Sequence, residues 1–162
     1  MPLKCAWALC ALLAVADVTA CNLSTGITAF AKRGDAPAVD DTGLKPPVLE
    51  LVSLTRGVDG RASCDASGLL TLSVEWPRGT DYKLRELGFE FRVVGDDALA
   101  IFPDQPVAGR VDGRRSEFVF LWQDGPPAVQ ANIDLVVEVR AVTADNRRGP
   151  PAQLRIAAAP GS

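Results

Sequence analysis

The sequence predicts an all-β protein: a single antiparallel β-sandwich over residues 47–158, preceded by a signal peptide (1–20) and a flexible linker (21–46), with a short tail at 159–162. Three observations carry this reading. From residue 47 onward, short apolar runs alternate with turn signals, the pattern of a sandwich. The first twenty residues have the layout of an export signal, and the stretch behind them is rich in Ala, Gly, Asp, Thr and Pro with no sustained period of two or of 3.6. The chain of 162 residues has the length of one domain plus accessories.

The signal comes first. Lys4 supplies the positive start, and residues 5–16 (CAWALCALLAVA) form an unbroken apolar run. About twelve residues is too short to cross a bilayer, which takes roughly 20, so the run reads as a signal rather than a permanent span. It ends at Val18-Thr19-Ala20-Cys21. This tetrapeptide resembles the lipobox of bacterial lipoproteins, in which an aliphatic residue and two small residues precede a cysteine. The resemblance implies cleavage just before Cys21 and a lipid on the Cys21 thiol, whose thiolate is a good nucleophile for alkylation. Ordinary cleavage after Ala20 is the alternative, because Val-x-Ala also suits the peptidase of soluble secretion. Lipidation would hold the protein on a membrane, each buried CH₂ contributing about 0.8 kcal/mol. Asn22 stands where an Asp would favour retention in the inner membrane of such lipoproteins. The expected location is therefore the bacterial cell envelope, on the outer membrane where the host has one.

Cys5 and Cys10 leave with the signal. With a lipidated Cys21 no intramolecular disulfide can form, whereas an unmodified Cys21 permits a Cys21–Cys64 bridge in an oxidising compartment. Cys64 is expected to be buried or to lie in the loop before a strand.

The linker ends at Pro46-Pro47. As a coil of about 25 residues it would span roughly 25–30 Å. It contains Arg33-Gly34-Asp35, the tripeptide that integrins read, and begins beside the formal sequon Asn22-Leu23-Ser24. A chain rich in Arg, Gly and Asp offers the first by chance, and the second lies beside the expected lipid site of a bacterial protein, so both read as noise.

The strands follow in order. Leu49, Leu51, Val52 and Leu54 form the opening strand, and their change of phase predicts a bulge. In residues 70–76, Leu70, Leu72, Val74 and Trp76 share one face while Thr71, Ser73 and Glu75 share the other. Pro77 ends that strand. Phe89, Phe91 and Val93 repeat the pattern, with Glu90 and Arg92 outward. Leu135, Val137, Val139 and Ala141 do so again, with Val136 and Val142 making the opposite face partly apolar. Leu154 and Ile156 close the domain, with Arg155 outward. Asp59-Gly60, Asp112-Gly113 and Asp124-Gly125 signal turns, as do Asn146 and Gly149 in the last hairpin.

These pieces resemble a fibronectin type III domain over residues 47–158. The Pro-Pro entry, the strand 70–76 carrying a core Trp, Gly88-Phe89-Glu90-Phe91-Arg92-Val93 as third strand, Val139-Arg140-Ala141-Val142 in the sixth and a Gly-Pro hairpin carry the resemblance. It implies an immunoglobulin-like sandwich that binds or spaces, with no catalytic residues. The family's corner tyrosine would fall near Leu135, so that corner is expected to be held by other groups.

Composition narrows the function. There is no histidine, which removes His-based triads and general bases and most zinc sites. The net charge of −3, with no dense basic patch, argues against nucleic acid as a partner. Asp40-Asp41 and Asp96-Asp97 lack the spacing of calcium ligands. Arg110, Arg114 and Arg115 form one basic cluster and Arg147 and Arg148 another. Solvated loop charge is the plain reading, and contact with anionic headgroups or an acidic partner the sharper one. The strand 116–122 is apolar on both faces: Phe118, Phe120 and Trp122 on one, Val119 and Leu121 on the other. Either the connection 95–115 folds over one face, or Phe118, Phe120 and Trp122 form a docking face for a protein or glycan. The function expected is a membrane-anchored binding or scaffold module, non-enzymatic and without a cofactor. The alternatives are an accessory subunit of an envelope assembly or secretion complex, or a carboxylate-dependent enzyme.

Overall fold

The computed structural model describes residues 23–60, 62, 64–95 and 99–162. Cys21, with the lipobox ahead of it and Asn22 after it, and the Asp96-Asp97 pair lie outside the described residues. The elements are strands β1 (Thr28–Ala29), β2 (Val39–Asp40), β3 (Val48–Thr55), β4 (Ser67–Glu75), β5 (Leu87–Val93), β6 (Val107–Ala108), β7 (Arg110–Asp112), β8 (Arg115–Gln123), β9 (Ile133–Thr143), β10 (Arg147–Arg148) and β11 (Ala152–Ala158). Two 3₁₀ turns lie at Leu84–Glu86 and Pro127–Val129. No helix among the described residues is long and apolar enough to cross a membrane.

The strands form two sheets packed face to face. One has the order β3-β4-β8-β7; the other runs β1-β6-β5-β9-β10-β2, with β11 also beside β9. The period-two pattern decides what faces inward. Leu70, Leu72 and Val74 of β4 and Phe118, Phe120 and Trp122 of β8 meet Phe89 and Phe91 of β5, Val137, Val139 and Ala141 of β9 and Ile156 of β11, all in one core. The aromatic rings interlock edge to face: Phe89 and Phe118 lie 5.6 Å apart, Phe91 and Phe120 4.9 Å, Phe102 and Phe120 4.8 Å. The bulge in β3 falls between Leu51 and Ser53, where the apolar phase changes. Gly113 lies in the turn after β7 and Gly125 just past β8, each at positive φ.

Two expectations need correction. The segment before residue 47 is not a free linker. Its β1 pairs with β6, its β2 runs parallel to β10, and Leu44 is fully buried. Isolated anchors of this kind leave no periodic trace in a sequence. Phe30 crosses β5 so closely that a Cβ at Gly88 would strike its ring. Glu90 does face away from the core, yet it is buried, because Arg148 of β10 lies over it and donates to its Oε1 at 2.7 and 3.1 Å. Beside Val136 and Val142, the outer face of this sheet is laced with opposite charges. Arg140 donates to Glu138 at 2.9 Å, and Arg155 grips Asp134 through two bonds of 2.7 and 2.8 Å.

Candidate functional site

The second correction concerns the docking face, the alternative reading of strand 116–122. Phe118, Phe120 and Trp122 are 0%, 3% and 6% exposed. Sheet pairing aims all three at the opposite sheet, and Phe102 from the 95–115 connection fills the remaining gap. A face sealed on both sides cannot receive a partner. The outer-facing Val119 and Leu121 are half-buried.

Of the other described candidates, all but Arg110 resolve into internal pairs. Arg114 is ion-paired to Glu75 and donates to the Trp76 carbonyl at 3.0 Å, and Arg115 reaches Glu75 at 3.1 Å. Arg147 donates to Asp41 at 3.1 Å, and Asp41 also accepts from the Gly43 amide at 2.8 Å. The Gly43 amide and Arg147 together hold the Asp41 carboxyl below the usual carboxylate range. Asp40 lies 3.7 Å from Arg140. Arg33 of the tripeptide lies on the exposed crossing segment, 3.4 Å from Asp145. Among the described residues no group of three His, Cys, Asp or Glu converges as a metal ion would need. Cys64 sits half-buried in the turn ahead of β4 and is disulfide-bonded, its partner lying outside the described residues.

The concave feature with the most definite chemistry lies at the end of the sandwich where β4 stops and β5 begins. Trp76, one residue past β4, organises it. Its indole N–H donates to Thr80 Oγ1 at 2.8 Å and to the Tyr82 carbonyl at 3.0 Å, and Thr80 donates to the same carbonyl at 2.9 Å. These bonds shape the loop 77–83 around the ring. The Lys83 amide donates to the Glu86 carboxylate at 2.9 Å, which starts the 3₁₀ turn. The turn between β7 and β8 forms the far wall. The floor is apolar (Trp76, Leu84, Val111) and the rim carries Lys83, Arg85 and Arg114. Among the described residues no carboxylate lines this groove; Asp81 and Glu86 of the same loop stay outside it. Arg114 is neutralised by Glu75, whereas Lys83 and Arg85 form no ion pair among the described residues. An apolar floor with unneutralised cations suits an anionic, partly apolar ligand group.

Sequence reading missed the groove because its members come from two loops joined only by the fold. It also missed the most buried polar cluster, at the opposite end. Arg56 and Asp124 have side chains 1% and 2% exposed. They meet in a bidentate pair of 2.8 and 2.9 Å, and Arg56 also donates to the carbonyls of Ala131 at 2.9 Å and Ala159 at 3.2 Å. Asp124 further accepts from the Gly57 amide at 2.8 Å and the Trp122 indole at 3.2 Å. Gln130 donates to the carbonyls of Gly57 and Gly125, each at 2.7 Å. Every strong donor and acceptor in this knot is satisfied from within, so its role is to close the end of the sandwich.

Compared with known proteins, the chain matches no family model, and no curated protein and no solved structure is significantly similar to it.

Proposed function

We propose that this chain is an exported, membrane-anchored lipoprotein that presents a fibronectin type III-like module for binding in the bacterial envelope. Three lines support the reading. The sequence up to Cys21 has the form of a lipoprotein signal, and Asn22 favours the outer membrane. The strand order supports an immunoglobulin-like sandwich: the first, second, fifth and fourth major strands share one sheet (β3-β4-β8-β7), and the third, sixth and seventh (β5-β9-β11) share the other. The corner that lacks the family's tyrosine is tied by Arg56, Asp124 and Gln130 instead.

The observation that carries the binding role is the cationic groove beside Trp76. Its partner is an acidic segment of a protein or an anionic glycan, held by Lys83 and Arg85 over the apolar floor. The test is chemical crosslinking in intact envelopes with the wild-type chain and with Lys83→Glu/Arg85→Glu. Both positions are exposed, so the variant should melt as the wild type does. Loss of the crosslinked partner from the variant supports the groove, and undiminished crosslinking overturns it. The anchor is tested by the mass of the mature N-terminal peptide. The disulfide at Cys64 competes with this anchor: once Cys5 and Cys10 have left with the signal, Cys21 is the one cysteine remaining in this sequence to pair with it, and its sulfur cannot hold both lipid and Cys64. Lipid on Cys21 supports the anchor, and a lipid-free peptide joined to Cys64 means a soluble secreted protein.

A further inference from the structure

The edge of the first sheet points to self-association. β3 is an edge strand of eight residues, paired only with β4. Along its other side no backbone hydrogen bond is made among the described residues. An open edge is a ready template for another strand, and proteins usually blunt it with lysine or proline. β3 carries neither, and Glu50 is its one charge. It is also unusually apolar for a surface strand. Val48 is 59% exposed, Val52 49% and Leu51 37%. Val58, just beyond the strand, is exposed as well, so four of the nine large exposed hydrophobics among the described residues cluster here.

We propose that β3 pairs antiparallel with β3 of a second copy, about a two-fold axis between Leu51 and Val52. The bulge makes the strand self-complementary. Opposite β4, Leu49, Leu51 and Leu54 stand across from the buried Val74, Leu72 and Leu70 and so face inward, while Val48, Glu50, Ser53 and Thr55 face outward. A regular strand would put positions 49 and 54 on opposite faces; the extra residue at Val52 restores them to the same face. With the axis between 51 and 52, Leu49 meets Leu54 of the other copy, Val48 meets Thr55, and Glu50 meets Ser53. Outside the bulge every pair then lies on matching faces, and the two Glu50 carboxylates do not oppose one another. Shifting the register by one residue either way sets inward side chains against outward ones. The two four-stranded sheets would join into one of eight.

The register is what the experiment reads. Two tagged full-length copies are co-expressed, one carrying Glu50→Cys and the other Ser53→Cys, and the cells are oxidised. Directly opposed residues in an antiparallel pair have Cα atoms about 4.5–5.5 Å apart, within the reach of a disulfide, whereas two copies of position 50 lie beyond its limit of about 7 Å. The 50/53 combination is expected to form a mixed-tag dimer many-fold more than 50/50 or 53/53. Adding Val52→Lys to both copies should abolish that dimer while leaving the melting temperature unchanged, because Val52 is exposed in the single chain. Equal crosslinking in all three combinations, no crosslinking, or a dimer indifferent to Val52→Lys each overturns the proposal. No crosslinking with a different protein bound along β3 would assign the edge to that protein instead.

Discussion

Arg56 and Asp124 show how much a single pair of residues can decide here. Breaking a buried, hydrogen-bonded ion pair leaves a charge in a dry site and typically costs about 3–5 kcal/mol. Arg56→Ala should therefore lower the melting temperature sharply, and a change of a degree or less would refute the structural weight given to the pair. The same site sets a pH dependence. Burial pushes the Asp124 pKa up, but hydrogen bonds from Arg56, the Gly57 amide and the Trp122 indole outweigh it, so the folded carboxyl titrates below its ordinary value. A depressed folded pKa stabilises the fold above the unfolded value of about 3.9, and that contribution is lost as pH falls through the folded pKa. Asp134 and Glu138, held low by Arg155 and Arg140, act in the same direction. Melting curves taken from neutral pH down into strong acid should fall steeply in the acid limb for the wild type and less steeply for Asp124→Asn. Gly68 makes a different point. A Cβ there would strike the Trp122 indole ring. Gly68→Ala should cost about 1–3 kcal/mol by overpacking, measured by chemical denaturation, although alanine otherwise suits a strand better than glycine does.

The elements were legible to different degrees. The strand carrying Leu70, Leu72, Val74 and Trp76 was plain, because a half-buried strand writes its face into every second residue. The bulge in β3 was legible as a break in that rhythm. The two-residue strands β1, β2, β6 and β10 were not, since two residues carry no period. Trp76 links element to site, as both a core residue and the hub of the groove loop. Trp76→Ala should cost about 3–5 kcal/mol. Trp76→Phe keeps most of the packing but loses the bonds to Thr80 and to the Tyr82 carbonyl. It is expected to leave the domain folded and to raise amide exchange selectively in the loop 77–83; uniform exchange across the domain would refute the hub.

For the whole molecule, the crossing segment before residue 47 matters most. By pairing β1 with β6 and β2 with β10, and by burying Leu44, it becomes part of the domain rather than a spacer. An anchored Cys21 would then hold the module close to its membrane, because fewer than ten residues separate it from the first pairing at Thr28. Leu44→Ala should cost about 2–5 kcal/mol in a thermal melt. A spacer would tolerate the same change without effect.

The sequence by itself determined the two-layer all-β architecture, the main strands and the bulge. Each of these is a local pattern, written within a few neighbouring residues. Only the tertiary structure decided the fate of Phe118, Phe120 and Trp122. A strand apolar on both faces is consistent with core or with interface until the opposing sheet is in place, and here Phe89, Phe91 and Phe102 close over it. The arginines followed the same logic. Arg114 and Arg148 read as surface charge because their carboxylate partners lie 39 and 58 residues away in the chain, and Arg56, whose partner is 68 residues away, gave no signal. The groove, too, exists only once two distant loops meet, leaving Lys83 and Arg85 as its unneutralised cations.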